Sequence, residues 1–153
     1  TTEGKKIACK SEIDNLKVDH KNKIIYPRDL KTTFDNEAFI YTYSKYRYDL
    51  QAAFYSMAVR WWADDNGLES YLIAPMEFIV GDTSSKNKRP IRYQLDMTDI
   101  YNSLYGYSIR GQKYKGLIEI INEISWAEDN NIWNVSKEVY DANGKLKLNL
   151  KYD

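Results

Sequence analysis

Asp29-Leu30-Lys31 ends an apolar run that starts at Ile24. Residues two apart on a strand point to the same side, so Asp29 and Lys31 can share one site. A carboxylate and an ammonium held together suit phosphodiester chemistry. The acid binds a cation, and the lysine orients or helps deprotonate a water, or stabilises charge on a phosphate. The triplet alone carries little, because Glu3-Gly4-Lys5 and Asp19-His20-Lys21 have the same form without the apolar run. Asp14 changes its meaning. It lies on a neighbouring segment, and a fold-back near His20 brings it alongside Asp29. Adjacent carboxylates repel, and such a pair is tolerated mainly with a cation between its members. Oxygen donors favour a hard ion, which makes Mg2+ the expected cofactor and Mn2+ its substitute.

Downstream, Gln51 and Tyr55 stand four residues apart, with Tyr48 three before Gln51. On a helix all three share a face. A polar pair there can orient a metal ligand or a substrate, or form an ordinary helix boundary.

The elements that must position these residues follow from hydrophobic period. Ile7 to Ile13, Leu16-Lys17-Val18 and Ile24 to Leu30 read as strands of an antiparallel meander over residues 6–30. Pro27 marks an irregularity or an edge in the last of them. Asn36 to Tyr46 reads as a short helix or turn. Arg47 to Asp64 is a helix, with Leu50, Phe54, Met57, Ala58 and Trp61 as its apolar face and Gly67 as its stop. Leu68 to Val80 reads as a strand interrupted by Pro75, and Ile91 to Leu95 as another. Thr98 can cap a long helix carrying Tyr101, Leu104, Ile109, Leu117, Ile120, Ile121 and Ile124, weakened by Gly106, Gly111 and Gly116. Asn143-Gly144 is a hairpin turn signal between Val139-Tyr140 and Leu146-Leu148. With no repeat or linker, residues 1–153 read as a single α/β domain.

Composition narrows the function classes. Lysine plus arginine and aspartate plus glutamate number 22 each, so a polyanion would be held by local patches and not by net charge. The one cysteine, Cys9, precludes an intrachain disulfide and argues against a cysteine-ligated zinc or iron–sulfur site. It fits a reducing cytoplasm. No apolar run reaches the roughly 20 residues that span a bilayer, and the N-terminus has no signal-peptide pattern. The chain starts at Thr1, as a processed chain or a fragment would.

The segment Asp29-Leu30-Lys31-Thr32-Thr33, followed by Tyr46-Arg47-Tyr48-Asp49-Leu50-Gln51-Ala52-Ala53-Phe54-Tyr55-Ser56, resembles the nuclease domain of RecE-type exonucleases, or exodeoxyribonuclease VIII. These belong to the RecB-like branch of the PD-(D/E)XK superfamily. The resemblance extends back through Cys9 and Ser11-Glu12-Ile13-Asp14 and covers residues 6–61. It implies an α/β fold of α+β type with a restriction-endonuclease-like core, a central mixed sheet flanked by helices. It further implies a metal-dependent exonuclease acting on double-stranded DNA. Asp14, Asp29 and the Leu30 carbonyl would bind Mg2+. Lys31 would act on the water or the scissile phosphate, and Gln51 and Tyr55 would complete the helix motif. Relatives form homo-oligomeric rings around DNA and work beside a single-strand annealing protein in recombination, often in phage settings. Candidate DNA contacts are Arg47, Lys86, Lys88, Arg89 and Lys113. The family's helices before the first strand, with their metal-site histidine or glutamate, have no counterpart ahead of Lys6.

Two other classes compete. One is a non-catalytic DNA-binding or assembly module that retains the nuclease fold. The other is an aromatic-rich interaction domain using the 14 tyrosines, which leaves the setting of Asp29 unexplained. A nuclease of adaptive immunity fits the core motif, but its usual cysteine-bound cluster cannot be built here.

Overall fold

A computed structural model describes residues 4–85 and 87–146. These residues fall into two compact units, one of residues 9–117 and one joining residues 4–8 to residues 118–146.

The larger unit is built on a mixed sheet flanked by helices. Its strands are β1 (Asn15–Asp19), β2 (Ile24–Thr33), β3 (Leu72–Ile73), β4 (Glu77–Asp82) and β5 (Ile91–Gln94). The order is β1-β2-β4-β5, with the short β3 also on β2. β1 and β2 form an antiparallel hairpin, whereas β3 and β4 run parallel to β2. The expected meander thus reduces to two strands, because residues 7–13 form no regular structure. β2 is central and not an edge. Pro27 is tolerated because β3 ends at Ile25↔Ile73 and β4 begins only at Arg28↔Glu77. The missing N–H falls at that break, where Pro75 also sits.

Odd-numbered residues of β2 face a long helix. Ile25, Pro27 and Asp29 are buried, while Leu30 is 57% exposed. After α1 (Phe39–Lys45) comes that helix, α2 (Tyr48–Asp65), which presents Ala52, Val59 and Ala63 to the sheet. The expected apolar face was wrong here: Trp61 is half exposed, and the buried positions are mostly alanine. Small side chains let the helix axis approach the sheet, and the aromatic volume comes from elsewhere. Phe39, Met76, Phe78, Val80 and Ile100 fill one cluster, with Tyr43, Tyr48, Tyr55 and Tyr93 packed on it. Each buried aromatic there contributes about 1.5–3 kcal/mol of burial free energy.

The long helix expected from Thr98 is broken. Asp96 and not Thr98 caps α3 (Met97–Tyr105), through a reciprocal bond with Asp99. A hairpin of β6 (Tyr107–Ile109) and β7 (Gln112–Tyr114) follows, and then α4 (Leu117–Asn130). Glycine causes the break. Gly106 has φ +91°, and a Cβ at Gly116 would overlap the Gly106 nitrogen and the Leu104 carbonyl. The chain passes so closely over itself there that only glycine fits.

In the smaller unit, most of α4 is joined by α5 (Lys137–Asp141), with Trp126 against Tyr140 and Lys5 paired with Glu128 and Asp129. Val139 and Tyr140 are therefore helical and not in a hairpin strand. Asn143 and Gly144 do adopt positive φ, but they terminate a helix: the Gly144 N–H donates to the Val139 carbonyl. Leu148, the far end of the expected hairpin, lies outside the described residues. Among the described residues, no helix is long and apolar enough to cross a membrane.

Candidate active site

The register builds the site. β1 starts at Asn15↔Arg28, so Asp14 stands one step beyond it, opposite Asp29. At that point the edge of β2 has lost its partner, and the Leu30 N–H donates instead to Asp14 Oδ2 at 2.8 Å. The N–H and C=O of one strand residue face the same edge. The Leu30 carbonyl is therefore turned to the edge that Asp14 occupies.

Asp29 is only 2% exposed. Its carboxylate pairs with the Lys31 ammonium, and Gln51 Nε2 from α2 donates to Oδ1 at 3.3 Å. Apart from the ion pair, Oδ2 is buried without a hydrogen-bond donor. Burial pushes the Asp29 carboxyl above the ordinary carboxylate range, and the Lys31 ammonium opposes that rise. The Asp14 carboxylate adds to it, by charge and by sharing a hydrogen bond. Two acids thus converge on one point, as the spacing of Asp14 and Asp29 suggested.

Lys31 is mostly buried, its side chain 17% exposed. Its Nζ lies 4.7 Å from the Tyr48 ring centroid and 5.9 Å from that of Phe78. The negative faces of aromatic rings attract a cation at such distances. Phe78 escaped the sequence reading because only the parallel pairing Asp29↔Phe78 puts it beside the site. Tyr48 was visible on the same helix face as Gln51, but nothing in the spacing gave it this partner.

The other expected site residues separate. Gln51 reaches Asp29, whereas Tyr55, one turn on, packs on the Phe39–Phe78 core. Arg47 precedes α2 in the left-handed region, with φ 52°. It grips Asp49 through Nε and Nη2, each at 2.9 Å, and donates to the Lys115 carbonyl at 2.8 Å. Its guanidinium lies near the Tyr107 and Tyr114 rings. Lys88 pairs with Asp82 at 3.0 Å and Asp35 at 3.6 Å. These two cations are committed to holding loops. Arg89 and Lys113 are exposed, and Lys86 lies outside the described residues.

Among the described residues, no group of three histidine, cysteine, aspartate or glutamate side chains could hold a metal ion. The donors present are two carboxylates and a main-chain carbonyl. Mg2+ is commonly held by one or two carboxylates, with waters and substrate phosphates completing its shell. Asp29, ion-paired with Lys31 and close to the Asp14 carboxylate, fits that partial set. Lys31 sits where it could serve either the cation's water or a phosphate oxygen. No protein-family model matches this chain, and no curated protein matches it, so these residues and their geometry carry the functional argument by themselves.

Proposed function

We propose that this chain contributes a metal-dependent DNA nuclease site of the PD-(D/E)XK kind, hydrolysing phosphodiester bonds of double-stranded DNA as an exonuclease. The observation that carries the reading is Asp29. A buried acid with one lysine, one long amide contact and a second carboxylate beside it is poorly arranged for stability and well arranged for a cation. Asp14, Asp29 and the Leu30 carbonyl would hold Mg2+, which supplies an activated water and neutralises phosphate charge. Lys31 would place that water or bind a non-bridging phosphate oxygen. Gln51 would steady the Asp29 carboxylate through its Nε2 contact. Ring assembly and cooperation with a single-strand annealing protein follow from the RecE-like resemblance, a cytoplasmic setting from the single cysteine, and all belong to the same proposal.

The test is digestion of linear duplex DNA by the purified chain. Cleavage is expected with Mg2+ or Mn2+ and to stop with a chelator. Asp29→Asn and Lys31→Ala should each reduce the rate by more than about a hundredfold, the scale of losing one charge-stabilising group. Digestion that persists in both variants would remove the site.

A second reading, a non-catalytic DNA-binding module on the same fold, has one observation in its favour: the Asp29–Lys31 pair neutralises itself. Duplex binding without cleavage in either metal, unaltered by Asp29→Asn, would support it over the nuclease.

A further inference from the structure

The Lys31 site continues to the surface through a second aromatic step. Tyr46 lies just past the end of α1, is 59% exposed, and its ring centroid is 5.9 Å from that of Tyr48 at an interplanar angle of 31°. Lys45 places its Nζ 5.4 Å from the Tyr46 centroid. The order from solvent inward is therefore Lys45, Tyr46, Tyr48, Lys31, Asp29. Two adjacent rings are thus flanked by a cation on each side. Tyr48 is accounted for, packed on Phe39 and Phe78 and covering Lys31. Tyr46 is not: its ring meets Tyr48 and the Lys45 ammonium, is otherwise exposed, and takes no part in the core cluster.

The geometry points to Tyr46 as a stacking platform for a nucleobase of the strand whose phosphate is presented to Lys31. This rests on the nuclease reading and specifies how its substrate is held. Single-stranded nucleic acid is bound where exposed aromatic faces accompany cations that track the backbone, because every base offers a π face. The spacing suits that task. One ring step separates Tyr46 from the ring over Lys31, so a base on Tyr46 belongs to a nucleotide next to the reacting phosphate. Lys45 is exposed and holds Tyr46 only by a surface cation–π contact. It yields the ring face and takes a phosphate of the same strand. A duplex end must then be unpaired locally before its terminal nucleotides reach the site.

The experiment compares wild type, Tyr46→Ala and Tyr46→Phe in their binding to two labelled oligonucleotides of equal length, followed by fluorescence anisotropy with Ca2+ in place of Mg2+. One is an oligothymidylate and the other an abasic strand of the same charge. The wild type is expected to prefer the oligothymidylate. Tyr46→Ala should weaken that binding about fivefold or more, the lower end of the range for one stacked base. Tyr46→Phe should keep it, and the abasic strand should bind all three alike. In digestion, Tyr46→Ala should raise KM and leave kcat nearly unchanged. No preference for bases in the wild type, or an equal loss on the abasic strand, overturns the platform. Normal metal-dependent digestion alongside that result leaves the nuclease reading standing. Base-dependent binding through Tyr46 without any cleavage does the reverse.

Discussion

Asp29 and Asp82 stand on adjacent strands of one sheet, and both have carboxylates turned away from solvent, but their surroundings are opposite. Asp82 receives the N–H groups of Asn36, Ser84 and Ser85, the Ser84 hydroxyl and the Lys88 ammonium. Hydrogen bonds from Ser84 lead in holding its carboxyl far below the ordinary range. Asp29 has one lysine, one long amide contact and the Asp14 carboxylate, and its pKa moves up. Glu77 resembles Asp82, saturated by Arg28 and Arg92. An acid surrounded by donors fastens a loop or a sheet. An acid left short of donors beside another acid retains capacity for a ligand.

Exchanging each acid for its amide should separate the two roles. Asp29→Asn abolishes metal-dependent cleavage, the largest effect expected in the molecule, and leaves the melting temperature at neutral pH unchanged or higher. Asp82→Asn does the opposite, lowering the melting temperature by several degrees and keeping the activity of the folded fraction. The pH dependence follows from the directions of the shifts. Asp82 has a depressed folded pKa, so its stabilisation is present above the ordinary value of 3.8 and is lost as pH falls through the lower folded value. The gap between wild type and Asp82→Asn should therefore close in acid. Asp29 has a raised folded pKa, so the folded state holds the extra proton from about 3.8 up to the raised value. Its contribution to stability falls with rising pH across that window. Thermal melts across the acid range read both signs, and a large loss of stability in Asp29→Asn at neutral pH would break the comparison.

Gln51 tests the smaller asymmetry within the site. Its amide donates to Asp29 Oδ1 at 3.3 Å. Removing a group that orients a metal ligand typically costs 10- to 100-fold in affinity or activity. Gln51→Ala should lose about tenfold in cleavage at limiting Mg2+ and recover partly as Mg2+ is raised. A loss that no Mg2+ concentration recovers would move Gln51 from orienting Asp29 to contacting DNA.

Local chemistry was legible in the sequence; long-range pairing was not. Asp14, Asp29 and Lys31 could be brought together because a hairpin between neighbouring segments follows from alternation and a polar turn. The α/β class and a helix over Arg47 to Asp64, found at Tyr48–Asp65, followed equally from period. Phe78 was invisible, because a parallel strand more than forty residues away in the chain leaves no short-range signal. The break after Tyr105 was misread although its glycines were noted, since their role is the close crossing of two backbones and not a bend in one helix. The Asn143-Gly144 pair shows the same limit: positive φ serves a hairpin or a helix end equally well. Arg47 and Lys88 were read as candidate DNA contacts, and their ion pairs with Asp49 and Asp82 had no signal in the sequence because the fold decides them.

The smallest effect concerns Tyr55, which separates the helix motif into its working and its packing halves. Four residues after Gln51, it was expected to share the catalytic face, but α2 turns its ring onto the core containing Phe78. The hydroxyl has no part in holding Asp29 or Lys31 in this arrangement. Tyr55→Phe keeps the ring and removes only the oxygen, so cleavage, KM and melting temperature should all stay close to wild type. Tyr55→Ala should lower the melting temperature by leaving a cavity beside the core. A sharp fall in kcat for Tyr55→Phe with unaltered stability would show that the hydroxyl enters the site when DNA and metal are bound. The polar half of the motif would then extend a full helical turn beyond Gln51.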